Sequence, residues 1–90
     1  MPDLRAVPRF PRGVKLRFDA VRGEHFLLAP ERAFWLDATA YAVVELIDGA
    51  RPFDDIVGIL ASRFSEAREV IANDVATMLD GLIEKRVIEV

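Results

Sequence analysis

Hydrophobic and polar positions follow two different periods along this 90-residue chain, and the change between them falls near residue 37. From Gly13 the pattern alternates. Val14, Leu16 and Phe18 fall on one side of an extended chain, and Lys15, Arg17 and Asp19 fall on the other. Ala20-Val21-Arg22-Gly23 reads as a turn, with Gly23 able to take positive φ. Glu24 to Ala29 continues as a second strand through the apolar run Phe26-Leu27-Leu28, with His25 assigned to the outward side. Pro30 breaks that strand, and Glu31 to Leu36 reads as a third. A small antiparallel meander is therefore expected in the first part of the chain.

Beyond residue 37 the spacing becomes helical. Asp37 is a suitable N-cap, and Ala40, Val43, Val44 and Ile47 form one face of a short helix that Gly49 is expected to end as its C′ residue. Pro52 is placed at the start of a second helix, with Asp54 and Asp55 in a first turn where the helix dipole favours acids. Phe53, Ile56, Val57, Leu60 and Phe64 make its apolar stripe. Ser65 is read as the N-cap of a third helix from Glu66 to about Lys85. Ile71, Val75, Met78 and Leu82 form its core seam, and Ala72, Ala76, Leu79 and Ile83 widen it on one side. Val87 to Val90 are read as a last short strand. Three strands followed by three helices predict an α+β domain of winged-helix-like order.

Residues 1–13 stand apart as an extended arm, because Pro2, Pro8 and Pro11 lack backbone donors and no periodicity runs through them. Residues 14–90 make the domain proper. The net charge of −3 is unevenly distributed: residues 1–23 balance to +4, and residues 24–90 to −7. The simplest reading of the basic end is a solvated arm, although the asymmetry also permits steering of a charged partner. The start, Met1-Pro2-Asp3-Leu4-Arg5, has no apolar signal stretch, and no run is long enough to span a membrane, so a cytoplasmic protein is expected.

Catalytic chemistry is hard to assemble from these residues. The chain has no cysteine, which excludes disulfides and thiolate metal sites, and His25 is its single histidine. Asp54 and Asp55 are adjacent on a helix, so their side chains diverge by about 100°, and the helix N-terminus already explains them. No nucleophile–base pair, glycine-rich phosphate loop or dinucleotide fingerprint is present. No catalytic residue, metal or cofactor is expected. Winged-helix order raises DNA binding, but residues 66–86 carry five acids against Arg68, Lys85 and Arg86, the wrong sign for a helix facing phosphates. Neither a nucleic acid nor a membrane is expected as a partner.

Leu27-Leu28-Ala29-Pro30-Glu31 and Leu36-Asp37-Ala38-Thr39-Ala40 resemble segments of the PqqD family of pyrroloquinoline quinone (PQQ) biosynthesis. So do Asp48-Gly49, Ile56 with Leu60, Asp74-Val75 and Leu79-Asp80-Gly81-Leu82, in that order. Each piece is common, and their order and spacing together are specific. Asp37 stands where the family more often has asparagine, another helix-capping residue, and Trp35 where it more often has a polar one. The resemblance implies a peptide chaperone, a recognition element for ribosomally made peptides. It would bind the precursor peptide PqqA and present it to the radical S-adenosylmethionine enzyme PqqE, which cross-links a glutamate to a tyrosine. A recognition element of another peptide pathway is the alternative.

The resemblance also implies that the peptide lies as an added strand between the third strand and the third helix. Here the edge maps to Arg32, Ala33, Phe34, Trp35 and Leu36, and the helix wall to Ala72, Val75, Ala76, Leu79 and Ile83. With Phe34 and Leu36 facing the core, Ala33 and Trp35 face away, which leaves a large aromatic where packing does not require one. Packing of Trp35 onto the proline arm is the rival explanation. An open edge and an extended arm also leave a homodimer open.

Overall fold

The computed structural model describes residues 3–90, so Met1 and Pro2 of the expected arm lie outside the described residues. Three strands, β1 (Lys15–Asp19), β2 (Glu24–Ala29) and β3 (Arg32–Leu36), form one antiparallel sheet in the order β1-β2-β3. Three helices follow: α1 (Ala38–Val44), α2 (Phe53–Phe64) and α3 (Arg68–Glu84). The turns form where the sequence asks for them. Gly23 (φ 68°) closes the four-residue β1–β2 loop, its N–H donating to the Asp19 carbonyl at 2.7 Å. Pro30 and Glu31 make the two-residue β2–β3 loop. Glu31 takes φ 62°, so the proline supplies the restricted first position of a type II-like turn and a non-glycine residue bears the left-handed second.

The sheet's inner face and the helices share one core. Leu27 and Leu36 enter it from the sheet, Val44 from α1, Phe53, Ile56, Val57 and Leu60 from α2, and Val75 and Leu79 from α3. Burying such a side chain fully contributes about 1.5–3 kcal/mol, so the α2 stripe is the largest single block. Asp37 caps α1 as expected, its Oδ1 accepting from the Ala40 N–H at 2.8 Å.

Several expectations change. The buried residue of β2 is Leu27, so period two places His25 on the inner face with it, and Phe26 and Leu28 face outward. His25 therefore stacks on Tyr41 of α1, ring centroids 3.7 Å apart, and lies tilted against Phe18 at 4.9 Å. Partial burial, together with a hydrogen bond to Glu45, raises the Tyr41 phenol above its ordinary pKa. Phe18 shares that inner face but sits at the hairpin end and stays 58% exposed.

Helix α1 stops at Val44, before the expected end. Ile47 is buried from a following turn, and Gly49 (φ 76°) belongs to the next loop. In that loop the Asp48 carboxylate accepts from the Ala50 and Arg51 N–H groups, which holds its pKa below the ordinary value. Pro52 is the cap before α2, and Phe53 is its first helical residue.

Ser65 ends α2; it does not begin α3. It adopts a left-handed conformation (φ 53°), with its own N–H reaching the Ser62 carbonyl and the Glu66 N–H reaching that of Ala61. This is a Schellman pair, and α3 starts only at Arg68. Arg86 (φ 62°) ends α3 the same way, through Arg86 N–H to Ile83 and Val87 N–H to Leu82.

The tail forms no strand. Glu89 makes an isolated two-bond bridge with Arg9, at 2.9 and 3.0 Å. That bridge, with the Phe53 N–H to Ala6 and the Asp54 N–H to Leu4, docks the arm's backbone on the domain and buries Pro8, while Arg5 and Arg12 stay exposed and Arg9 pairs with Glu89 at the surface.

Candidate peptide-binding edge

A two-residue loop makes its closing pair, Ala29 with Arg32, the hydrogen-bonded one. Alternation then directs the main-chain groups of Arg32, Phe34 and Leu36 toward β2, and those of Ala33 and Trp35 outward. Among the described residues, neither Ala33 nor Trp35 makes a backbone bond outside the sheet. Two N–H and two C=O groups on β3 are therefore open to an incoming strand.

Side chains of this strand divide as the sequence implies. Leu36 is buried and Phe34 half-buried against the core, whereas Ala33 is exposed and Trp35 is 59% exposed on the outer face. Trp35 borders an open depression of about 400 Å³ with Gly23, Glu24, His25, Leu36, Ala38 and Tyr41. Among the described residues, none of the proline arm lines it.

Facing β3 across the open edge is the last turn of α3. Arg32 Nη1 donates to the Lys85 carbonyl at 2.7 Å, and the Lys85 ammonium stands 5.7 Å from the centroid of the Phe34 ring. Those contacts identify the flank of α3 turned toward β3. Gly81 lies one turn before Lys85, Met78 two turns before it, and Asp74 a turn further. At that far end Ile71, Asp74, Val75 and Met78 meet Thr39 and Val43 of α1 and Leu60 and Phe64 of α2 around an apolar cavity of about 60 Å³ that no β3 residue lines.

Of the helix residues singled out from the sequence, Val75 lines this cavity. Val75, Ala76 and Leu79 are all buried in the core. Ala72 is half-buried on the opposite flank, and Ile83 on that flank lines a separate depression with Pro11, Ile88 and Val90. The β3 flank thus presents Met78, Gly81 and Lys85, none of which the sequence reading placed in the wall. Gly81 is notable because a Cβ built there meets nothing within 4 Å. Glycine inside a helix costs about 0.5–1 kcal/mol relative to alanine, and no neighbour in this chain requires it.

Elsewhere the candidates have structural explanations. Asp54 pairs with Arg68 across the α2–α3 contact, so Asp54 and Asp55 are not held together as a carboxylate pair. Among the described residues no group of three or more His, Cys, Asp or Glu side chains is placed to hold a metal ion, and no helix is long and apolar enough to cross a membrane.

Comparison with known proteins identifies the family. Residues 24–88 match the family described as coenzyme PQQ synthesis protein D (PqqD). The chain is 51% identical over 83 residues to the bifunctional coenzyme PQQ synthesis protein C/D of Methylorubrum extorquens, covering 92% of this chain but 22% of that longer protein. It is 42% identical to the PqqA binding protein of Rhizobium meliloti, covering 94% of this chain and 87% of the relative.

Among solved structures it superposes, at a TM-score of 0.82 and 48% identity, on the PqqD truncation of Methylobacterium extorquens PqqCD. That protein is described as a functional, stand-alone recognition element for ribosomally synthesized and post-translationally modified peptides, and the match covers 98% of this chain and 94% of that one. PqqD from Xanthomonas campestris matches at a TM-score of 0.62 and 31% identity, covering the whole of both chains. A family match over residues 24–88 and relatives of comparable length with the same three-strand, three-helix order lead to one conclusion: the chain belongs to the PqqD family of coenzyme PQQ synthesis proteins.

Proposed function

We propose that this chain binds the precursor peptide PqqA as a fourth strand beside β3 and presents it to the modifying enzyme PqqE, doing no chemistry itself. The observation that carries the reading is the open main chain of Ala33 and Trp35 on an apolar strand that faces α3. Strand addition supplies affinity through main-chain bonds that any sequence can make. Specificity then has to come from the pockets that alternate side chains enter. In an added strand, one set of peptide side chains points toward α3, with the 60 Å³ cavity beside Met78 as an apolar anchor. The other set emerges on the outer face beside Trp35, available to the enzyme.

A ribosomally made peptide places this encounter in the cytoplasm. With no cysteine and one histidine, which stacks on Tyr41, the chain offers little to hold a metal or cofactor. Trp35 is the only tryptophan, so its emission reports on β3 alone. Titration with PqqA should shift that emission to the blue and saturate at one peptide per chain, and the peptide's mass should stay unchanged without PqqE. Emission and titration heat that do not respond to PqqA would remove the reading.

A further inference from the structure

We propose that Arg32, Lys85 and the Phe34 ring form a carboxylate clamp at one end of the β3–α3 groove, which takes an acidic side chain of the bound peptide. The proposal rests on the peptide-binding reading and adds to it the chemistry of one contact. Two cations from opposite walls converge on one ring, Arg32 Cζ at 5.5 Å and Lys85 Nζ at 5.7 Å from its centroid. Both cations reach the same ring, so a carboxylate seated at that ring is attracted by each of them.

Pairing elsewhere in the chain sharpens the point. Arg9, Arg22, Arg51, Arg63 and Arg68 each hold a carboxylate, on Glu89, Asp19, Asp48, Glu45 and Asp54 respectively. Arg32 and Lys85 hold none among the described residues, although Glu31 and Glu84 are their immediate neighbours in sequence. Among the described residues, other cations without an ion pair, such as Lys15 and Arg17, stand over no aromatic ring.

The clamp is also built to stay in place. Arg32 spends one N–H on the Lys85 carbonyl, which ties β3 to the end of α3 and leaves the rest of the guanidinium fork free. Phe34, half-buried beneath, lowers the local dielectric on one side. Space is available too, because the Gly81 position one turn back along α3 is open. From Glu24 onward the chain balances to −7, so an acidic peptide has reason to avoid most of its surface and to register on this one cationic end.

The test is calorimetric titration of the purified chain with synthetic PqqA at low and high salt. Protein variants are Lys85→Gln and Arg32→Gln; peptide variants change each Glu to Gln and each Asp to Asn, one at a time. Lys85→Gln should weaken binding about tenfold at low salt and less at high salt. One peptide acid, when neutralised, should produce the same loss, and combining it with Lys85→Gln should add nothing further.

Arg32→Gln also removes a bond to α3, so its melting temperature is measured alongside. Lys85→Gln touches no backbone bond and decides the matter on its own. Unchanged affinity in Lys85→Gln, or losses that add for every peptide acid, would overturn the clamp while leaving strand addition standing. A wild-type chain that does not bind PqqA would overturn the functional reading and the clamp with it.

Discussion

On β1 the outward main-chain groups belong to Leu16 and Phe18, and the outer face of that strand carries Lys15 and Arg17. On β3 they belong to Ala33 and Trp35, and the only charge is Arg32, whose guanidinium is turned to the end of α3. The two edges offer an incoming strand the same backbone chemistry, N–H and C=O groups at the same spacing. What differs is the side chains that flank them. Charges on an edge oppose pairing, because a strand laid against them must strip their water. An apolar edge next to a helix instead rewards burial. On the proposed reading, side chains select one of two equivalent edges, even though the bonds an added strand makes are main-chain bonds.

The largest effect expected from that comparison comes from deleting one outward donor on each edge. Ala33→Pro removes an N–H that points away from β2, and should weaken PqqA binding by about 1–3 kcal/mol. Phe18→Pro removes the corresponding outward N–H on β1 and should leave affinity unchanged, whatever it costs in stability. Circular dichroism must first show both variants folded, because proline disturbs sheets. Equal losses on both edges would mean that the peptide does not discriminate between them; a loss only on β1 would invert the assignment.

The edge itself was legible in the sequence, because Phe34 and Leu36 set a phase that forces Ala33 and Trp35 outward. Phase was not legible in β2, where Phe26-Leu27-Leu28 is apolar throughout. There the core chose Leu27, and His25 turned inward with it. Ser65 misled for a related reason: serine is a frequent N-cap, and nothing local distinguishes that role from a left-handed helix end. In the helix wall, Val75, Ala76 and Leu79 are buried in the core, which their spacing alone did not separate from a groove lining. Helix α3 carries apolar residues beyond its core seam, and the flank that meets β3 is marked only by tertiary contacts, Arg32 and Phe34 with Lys85. No periodicity within α3 carries that information.

A smaller effect is expected at Trp35. Its ring is 59% exposed on the outer face, so Trp35→Ala should change thermal stability by no more than about 0.5 kcal/mol. Peptide affinity should fall by about 1 kcal/mol or more if the ring covers the added strand. Arg17→Ala, an outer-face change on the other edge, should alter neither. A large stability loss in Trp35→Ala with normal affinity would make the ring a structural part of its depression and move the aromatic contact elsewhere.

The smallest effect tests the wall that faces β3, and it separates stability from function by sign. Gly81 sits on the β3 flank of α3, one turn before Lys85, with open space where a Cβ would project. Replacing glycine with alanine in a helix interior reduces the entropy lost on folding and meets no steric obstacle here. Gly81→Ala should therefore raise stability by about 0.5–1 kcal/mol, read as an increased denaturation midpoint with an unchanged slope. If the open space is where a bound strand passes close to the helix, the added methyl must instead obstruct it, and PqqA affinity should fall as stability rises. Placing alanine at an exposed site on another face of the helix, Asn73→Ala, should leave affinity unchanged. A Gly81→Ala chain that is more stable and binds PqqA as well as the wild type would show that the peptide does not approach α3 there. The strand on β3 would then lie further from the helix than the Arg32–Lys85 contact implies.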